Sequence, residues 1–242
     1  MLLHLQTNGF VLCYPRQNKS AMNNNSAACP FRCQVIDIIE VAAGVSYLTF
    51  ERPFDFEAGQ VISLTLTDNI APRLYSIASG VNEPHLGILF DVKPQGILTN
   101  LLIKLRKGDY VQVSKPYGSF LGGSEPAVWI ATGTGVAPFI SMSKSGFAKG
   151  KTLIQGARTL DGFYFSNLFE QEDGLSYTRC CSQASAAGIY AGRLTAYLRE
   201  TPSLPLKEKY YLCGNPLMVN EVRDLLIERG VPYENILSEI FF

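Results

Sequence analysis

The chain has 242 residues, with 21 basic and 21 acidic side chains and a hydrophobic fraction of 47%. This balance removes any overall electrostatic preference for nucleic acid or for an anionic membrane surface. No stretch reaches the roughly 18 consecutive apolar residues that a spanning helix needs, so we expect a globular protein without a membrane span. Six cysteines are too few for a disulfide framework at this length, which indicates a cytoplasmic protein.

Residues 1–32 form the first distinct stretch, which is rich in polar side chains and poor in periodic apolar ones. Such a composition predicts a loose N-terminal tail. Met22 lies within it and is an alternative start of translation to Met1. We therefore expect the folded part of the chain to begin at Cys33.

Short runs of alternating apolar residues, separated by Gly, Pro and Asp, dominate residues 33–125. This rhythm is typical of an antiparallel β-barrel. One short helix is predicted within the domain, near residues 98–105. The predicted strands lie at 34–39, 45–50, 60–66, 86–92 and 110–113.

Residues 126–242 change to apolar runs that alternate with helical stretches. Such alternation predicts a parallel sheet covered by helices on both faces. The fold class is therefore an antiparallel β-barrel domain followed by a parallel-sheet α/β domain. Strands of the second domain are predicted at 127–131, 151–155 and 210–213, with a helix after the first that extends to about residue 145.

A second helix of this domain carries clear start and stop signals. Asn215 suits the N-cap, Pro216 suits the first helical position, and Gly230 follows the last periodic residue. These signals delimit a helix over residues 217–229.

Two loops follow predicted parallel strands and can meet an anion. The loop at residues 133–138, with the sequence GTGVAP, places backbone N–H groups at the start of a helix, where a pyrophosphate binds well. It lacks the third glycine of the dinucleotide fingerprint, and on its own it is equally explained as a tight strand-to-helix turn. The loop at 213–216 has the same placement, so both would border one crevice. Cys213 could equally be a buried core thiol.

Six motifs occur along the chain in a characteristic order and spacing, and together they resemble the ferredoxin-NADP reductase family, in particular its bacterial ferredoxin and flavodoxin reductases. The resemblance covers residues 33–242. The motifs are RLYS at 73–76, GILT at 96–99, PYGSF at 116–120, GTGVAPF at 133–139, CGNP at 213–216 and EIFF at 239–242.

The resemblance implies a flavin site on the barrel. Arg73 would pair with an FAD phosphate, Tyr75 would pack on the flavin ring, and Ser76 would lie near flavin N5, while Leu74 would turn into the core. The side-chain chemistry agrees, because a guanidinium suits a diphosphate, an aromatic face suits a flat ring and a hydroxyl can bond a ring nitrogen. The remaining FAD-binding candidates are Val92, Lys93, Gly96, Ile97, Leu98 and Thr99.

Two of those candidates have simpler explanations as well. Thr99 could cap the short helix, and Lys93 could be an ordinary solvated surface lysine. The other residues of the GILT motif would offer backbone amides to the FAD pyrophosphate at the start of the helix.

The resemblance also implies an NADP(H) site on the second domain. Gly133, Thr134, Gly135 and Pro138 would hold the pyrophosphate, and Cys213, with Gly214 and Pro216 beside it, would border the nicotinamide. The role of Cys213 would be positional, since the cofactors carry the electrons. Thr178 and Arg179, reinforced by Arg158, resemble the residues that hold a 2'-phosphate, and they favour NADP over NAD.

The chain ends in a predicted catalytic carboxylate and two aromatic residues. Glu239 matches a carboxylate near the C-terminus of the family, which joins Ser76 and Cys213 as a catalytic candidate. Phe241 or Phe242 would cover the flavin, although a plain final strand packed by its aromatics is the alternative.

The implied activity is transfer of hydride from NADPH to FAD and of single electrons to ferredoxin or flavodoxin. An oxygenase reductase component, a free-flavin reductase and a non-catalytic electron-relay subunit are the alternatives. The cysteine spacing fits neither a zinc nor an iron-sulfur site, so we expect no metal. We also expect the chain to be a monomer. A basic face for an acidic carrier would comprise Lys93, Lys104, Arg106, Lys107 and Lys115.

Overall fold

The computed structural model describes residues 29–240, and of Ile240 only the backbone. Phe241, Phe242 and most of the stretch predicted as a tail lie outside the described residues. The described part contains two six-stranded sheets, the first antiparallel and the second parallel. This arrangement confirms the predicted fold class.

The antiparallel sheet has the strand order β4-β3-β6-β1-β2-β5 and closes on itself. A bridge between Ile77 and Ile88, together with a 2.7 Å hydrogen bond from Ala78 N to Gly87 O, joins the two outer strands of that order. The sheet is therefore a barrel. Its elements are β1 Phe31–Ala42, β2 Val45–Glu51, β3 Val61–Thr65, β4 Arg73–Ser76, β5 His85–Asp91, α1 Ile97–Leu102 and β6 Tyr110–Val113.

The barrel encloses an apolar core because inward residues alternate with outward ones along its strands. Leu48 and Phe50 of β2 and Ile62 and Leu64 of β3 are fully buried in that core. β1 begins at Phe31, two residues before the predicted start of the domain, because residues 31–34 pair with β6.

The parallel sheet has the strand order β10-β9-β8-β7-β11-β12, and every neighbouring pair runs parallel. Trp129 belongs to the core on one face and Ile130 to the core on the other, so both faces are covered. Its strands are β7 Ala127–Thr132, β8 Lys151–Ala157, β9 Ser176–Cys181, β10 Tyr190–Ala191, β11 Lys209–Gly214 and β12 Ile236–Ile240. Its helices are α2 Ala137–Lys144, α3 Ser166–Gln171, α4 Leu194–Glu200 and α5 Pro216–Glu228.

The predicted signals of the last helix are confirmed. The Asn215 carboxamide accepts a hydrogen bond from Leu217 N at 2.9 Å, Pro216 opens α5, and Gly230 follows its end with φ +89°. The helix of the barrel is shorter than predicted and ends at Leu102. The turn after it is held instead by a bond from Lys104 N to Leu101 O at 3.1 Å.

The two sheets share one apolar core. Phe120, from the connection between them, packs its ring 5.9 Å from Phe139 of α2 and 5.1 Å from Tyr211 of β11. A hydrogen bond from Ser141 Oγ to Ser79 O, 2.7 Å long, also crosses the boundary. The barrel is thereby held against the parallel sheet. Across residues 29–240, no helix combines the length and apolar character needed to span a bilayer.

Candidate active site

Three residues from three strands meet where the barrel faces the parallel sheet. Ser76, at the end of β4, donates a hydrogen bond from Oγ to Glu239 Oε2 at 3.2 Å. Glu239 of β12 is the register partner of Cys213 in β11. The structure therefore brings together the three predicted catalytic residues, although they are separated by long stretches of sequence.

Burial sets the protonation of this cluster. It raises the pKa of Glu239 from the ordinary 4.5 to about 7, although the hydrogen bond from Ser76 opposes the rise. Burial, reinforced by the charge of Glu239, raises the pKa of the Cys213 thiol well above its ordinary value. Cys213 is thus a neutral thiol at pH 7, which fits a positional role and not that of a nucleophile.

The two loops of the parallel sheet are in direct contact. A Cβ built on Gly135 would lie 2.4 Å from Gly214 Cα and 2.5 Å from the carbonyl carbon of Cys213. Only glycine allows the backbones to approach this closely. The two strand ends predicted to border a crevice therefore meet at the carboxyl edge of the sheet, where the loops after β7 and β11 are in backbone contact.

The first loop has an accessible backbone. Residues 133–136 form a 3₁₀ turn before α2, and Gly133 has φ +57° with no atom near its missing Cβ. Thr134 is half-buried, whereas Pro138 is buried in the first turn of α2 and can serve only as packing. The turn thus leaves the backbone of Gly133 and Thr134 partly exposed at the carboxyl edge of the sheet, whereas Gly135 is buried.

The RLYS strand places its side chains in two directions. Arg73 and Tyr75 share one face, and Leu74 and Ser76 share the other, because successive side chains of a strand alternate. Tyr75 is half-buried against the barrel core. Leu74 is 45% exposed, so its predicted direction into the core is wrong. In residues 29–240, no carboxylate lies within ion-pair distance of Arg73.

The segment before α1 differs in detail from its predicted form. Lys93 forms an ion pair with Asp91, so its charge already has a partner. Thr99 does not cap the helix, because its Oγ1 accepts from Lys93 N at 3.3 Å. Asn100 was missed by the sequence analysis, although its amide donates to Lys93 O at 2.8 Å and to Gly96 O at 2.6 Å. The signal in the sequence was an asparagine one turn into the predicted helix, where its side-chain amide can donate to backbone carbonyls of the preceding loop.

The hydrophobic residues of this segment divide by exposure. Ile97 is 73% exposed and can contact a ligand directly. Leu98 is buried and could contact a ligand only through its backbone, whereas Val92 is partly buried against the barrel core.

The residues predicted to hold a 2'-phosphate are not at one place. Thr178 and Arg179 pair with residues 154 and 155 within the sheet, whereas β8 and β9 reach their carboxyl ends at Ala157 and Cys181. Their side chains point to opposite faces, and Arg179 forms a 2.9 Å ion pair with Glu170. Arg158 lies just past the strand end and is exposed. Of the three, only Arg158 stands at the carboxyl edge of the sheet.

Comparisons with known proteins agree with this geometry. Residues 129–224 match the model of the oxidoreductase NAD-binding domain. The reductase component of propane 2-monooxygenase from Rhodococcus jostii is 31% identical over 208 residues, which are 78% of this chain and 56% of that protein. The phenol hydroxylase P5 protein of Acinetobacter pittii is 27% identical over 86% of this chain and 66% of its own length. The chain thus spans roughly half to two thirds of these relatives.

Solved structures share the complete two-sheet arrangement. A ferredoxin NADP+ reductase from Neisseria gonorrhoeae, solved with FAD and NADP, superposes with a TM-score of 0.79 at 20% identity and covers 88% of this chain and 98% of its own. An Amycolatopsis cytochrome P450 reductase gives a TM-score of 0.76 at 25% identity over 86% of this chain and 68% of its own.

The described part of the chain therefore joins an antiparallel barrel to a parallel sheet that matches the oxidoreductase NAD-binding domain. The three residues predicted to be catalytic, Ser76, Cys213 and Glu239, meet at the junction of the two sheets. The chain thus has the two-sheet fold of a ferredoxin NADP+ reductase and is similar in sequence to reductase components of oxygenases.

Proposed function

We propose that this chain binds FAD on its barrel and NADPH on its parallel sheet, and passes electrons singly to a ferredoxin or a flavodoxin. The observation that carries the proposal is the meeting of Ser76, Cys213 and Glu239 at the junction of the two domains. One cofactor on each domain would place its reactive ring there. FAD, when bound, accepts hydride and releases electrons one at a time.

The barrel has the chemistry that FAD requires. Arg73 is exposed and has no carboxylate partner among residues 29–240, so its guanidinium is available to a diphosphate. Tyr75, on the same strand face, offers an aromatic surface. Ile97 is exposed beside the backbone of Gly96 at the start of α1. These groups lie on adjacent parts of one domain and suit the charged, apolar and planar parts of one ligand.

The parallel sheet has a matching place for a nicotinamide nucleotide. The glycine loop would hold a pyrophosphate through the backbone of Gly133 and Thr134, and Cys213, a neutral thiol buried near the end of β11, would lie next to the nicotinamide. Among residues 29–240, Lys93 forms an ion pair with Asp91, and Arg179 forms one with Glu170. Arg158 is therefore the side chain that we assign to the 2'-phosphate that distinguishes NADPH.

Glu239 and Ser76 supply the proton chemistry of the site. With its pKa at about 7, Glu239 is divided between its acid and its carboxylate at neutral pH. Ser76 Oγ donates to the carboxylate and can redirect its proton toward a ring nitrogen placed beside it. The pair would thus hold a proton at the place where hydride arrives, in a position largely shielded from water.

A basic part of the barrel surface suits an acidic electron carrier. Lys104, Arg106 and Lys107 are exposed on the turn after α1, and Lys115 is exposed on the next connection. Lys93 is a weaker member of the predicted face because Asp91 neutralises it. Reversing the charge of Lys104 and Arg106 together should weaken the salt dependence of carrier reduction, and an unchanged salt dependence would remove this surface from the proposal.

A second candidate acceptor is an oxygenase component. The relatives from Rhodococcus and Acinetobacter are named as a propane 2-monooxygenase reductase component and a phenol hydroxylase protein, which favours this alternative. It uses the same two cofactors and changes only the partner. We further propose that the chain works as a monomer in the cytoplasm.

Anaerobic titration of the purified protein tests the proposal. The absorbance spectrum should show bound flavin, and NADPH should bleach it at lower concentration than NADH. Parallel assays with ferredoxin, flavodoxin, free FMN and an oxygenase component would then rank the acceptors. A colourless protein that takes up no FAD would refute the flavin site, whereas a flavin that neither nucleotide bleaches would favour a non-catalytic relay subunit.

A further inference from the structure

Thr132, the last residue of β7, lies between two glycines near the ends of the neighbouring strands. A Cβ built on Gly156 of β8 would lie 3.1 Å from Thr132 Cγ2. A Cβ built on Gly214 of β11 would lie 2.4 Å from Thr132 Oγ1. The hydroxyl therefore occupies the space that Gly214 leaves, whereas the methyl group shares the space at Gly156 with Leu194, whose Cδ2 would lie 2.5 Å from the same Cβ.

The Thr132 hydroxyl also holds the second loop. Its oxygen accepts a hydrogen bond from the backbone N–H of Asn215 at 3.1 Å. The Asn215 side chain in turn accepts from Leu217 N at 2.9 Å and caps α5. Cys213 pairs with Ala131 in the sheet, just before Thr132. The turn at residues 213–215 is thus anchored to β7 at both of its ends.

We propose that Thr132 is a positioning residue for hydride transfer. Its hydroxyl holds the turn at 213–215, so that Cys213 keeps its place beside the nicotinamide. This inference rests on the proposed function, because it requires a nicotinamide at Cys213. Thr132 acts only through the N–H of Asn215, and a displacement of about 1 Å at a reacting group can cost about a hundredfold in rate.

Two substitutions separate the hydrogen bond from the shape of the side chain. Thr132→Val keeps the shape and removes the oxygen, whereas Thr132→Ser keeps the oxygen and removes the methyl group that faces Gly156. We expect Thr132→Val to slow flavin reduction at saturating NADPH by roughly threefold to tenfold, the factor that one net hydrogen bond represents. The KM for NADPH should change less than kcat. Thr132→Ser should retain the wild-type rate.

Hydrogen exchange of the Asn215 amide gives a readout that does not depend on catalysis. The amide should be protected in the wild type and in Thr132→Ser, and should exchange faster in Thr132→Val. A Thr132→Val protein with the wild-type rate, or a Thr132→Ser protein as slow as Thr132→Val, would overturn the positioning role. An unprotected Asn215 amide in the wild type would overturn it whether or not the valine variant folds.

The same experiments distinguish failure of this inference from failure of the proposed function. If neither NADPH nor NADH reduces the wild-type flavin, the proposed function is wrong and the kinetic role of Thr132 is refuted with it. The exchange rates of the Asn215 amide would then still decide whether the hydroxyl holds the turn.

Discussion

Replacing Gly135 by alanine should separate the loops after β7 and β11. The added Cβ would lie 2.4 Å from Gly214 Cα and 2.5 Å from both the carbonyl carbon and the oxygen of Cys213. All three atoms belong to backbone, so no side-chain rotation relieves the overlap. The loops must move apart by about 1 Å to restore a normal carbon-carbon contact.

This displacement would be felt at the reacting groups. Cys213 is part of the strand that is pushed, and a misplacement of about 1 Å can slow a reaction by about a hundredfold. Overpacking of a well-packed site also costs about 1–3 kcal/mol of stability. In a chain of this length that corresponds to a decrease in Tm of roughly 2–10 °C.

Stopped-flow measurement of flavin reduction by NADPH, together with thermal unfolding, would check both effects. Gly123→Ala is the matched control, because no atom lies within 4 Å of the Cβ built there and the backbone is not left-handed. The control should match the wild type in rate and in Tm. A folded Gly135→Ala protein that retains FAD and is reduced at the wild-type rate would refute the argument that the close contact of the loops positions Cys213.

Three further predictions concern charge and proton transfer. Flavin reduction should slow as pH rises through about 7, because ionised Glu239 places negative charge where hydride arrives, and Glu239→Gln should flatten that profile in stopped-flow rates. Arg73→Ala should weaken FAD binding about tenfold to a hundredfold in flavin-release assays, whereas Ser76→Ala should retain FAD and slow its reduction; the reverse pattern would exchange their roles. Arg158→Ala should raise the KM for NADPH but not for NADH, and Arg179→Ala should change neither; a selective NADPH defect in Arg179→Ala would contradict this assignment.

The large-scale arrangement was accessible from the sequence because it depends on local signals. The Asn215 cap, the proline after it and Gly230 lie within one helix, and each acts through its own backbone. Alternating strand and helix signals were enough to predict a parallel sheet. The carboxyl ends of parallel strands meet at one edge, so the proximity of the two loops also followed.

Side-chain partners were harder to predict because they depend on where a strand ends. Arg179 lies two residues before the end of β9, where a neighbouring helix brings Glu170 within 2.9 Å. An apolar run in the sequence does not show, to within two residues, where its strand ends. Lys93 had two interpretations, a phosphate contact or an ordinary surface lysine, and its ion pair with Asp91 at the end of β5 favours the second.

The direction of Leu74 and the role of Thr132 illustrate a further limit. In a strand as short as RLYS, the sequence does not show which alternate side chains face the core. The packing of Tyr75 against the barrel core decides that Leu74 points outward. Thr132 carries no motif of its own. Its importance arises because glycines from two other strands, at positions 156 and 214, leave it the space between them.

The aromatic core shared by Phe120, Phe139 and Tyr211 has a thermodynamic consequence. Neither sheet can unfold without exposing apolar surface on the other, so the described part of the chain should melt in a single cooperative transition. A ligand that binds only the barrel would then protect the parallel sheet equally. At a hundredfold excess over its Kd, FAD would add about 2.7 kcal/mol to the stability of both halves together.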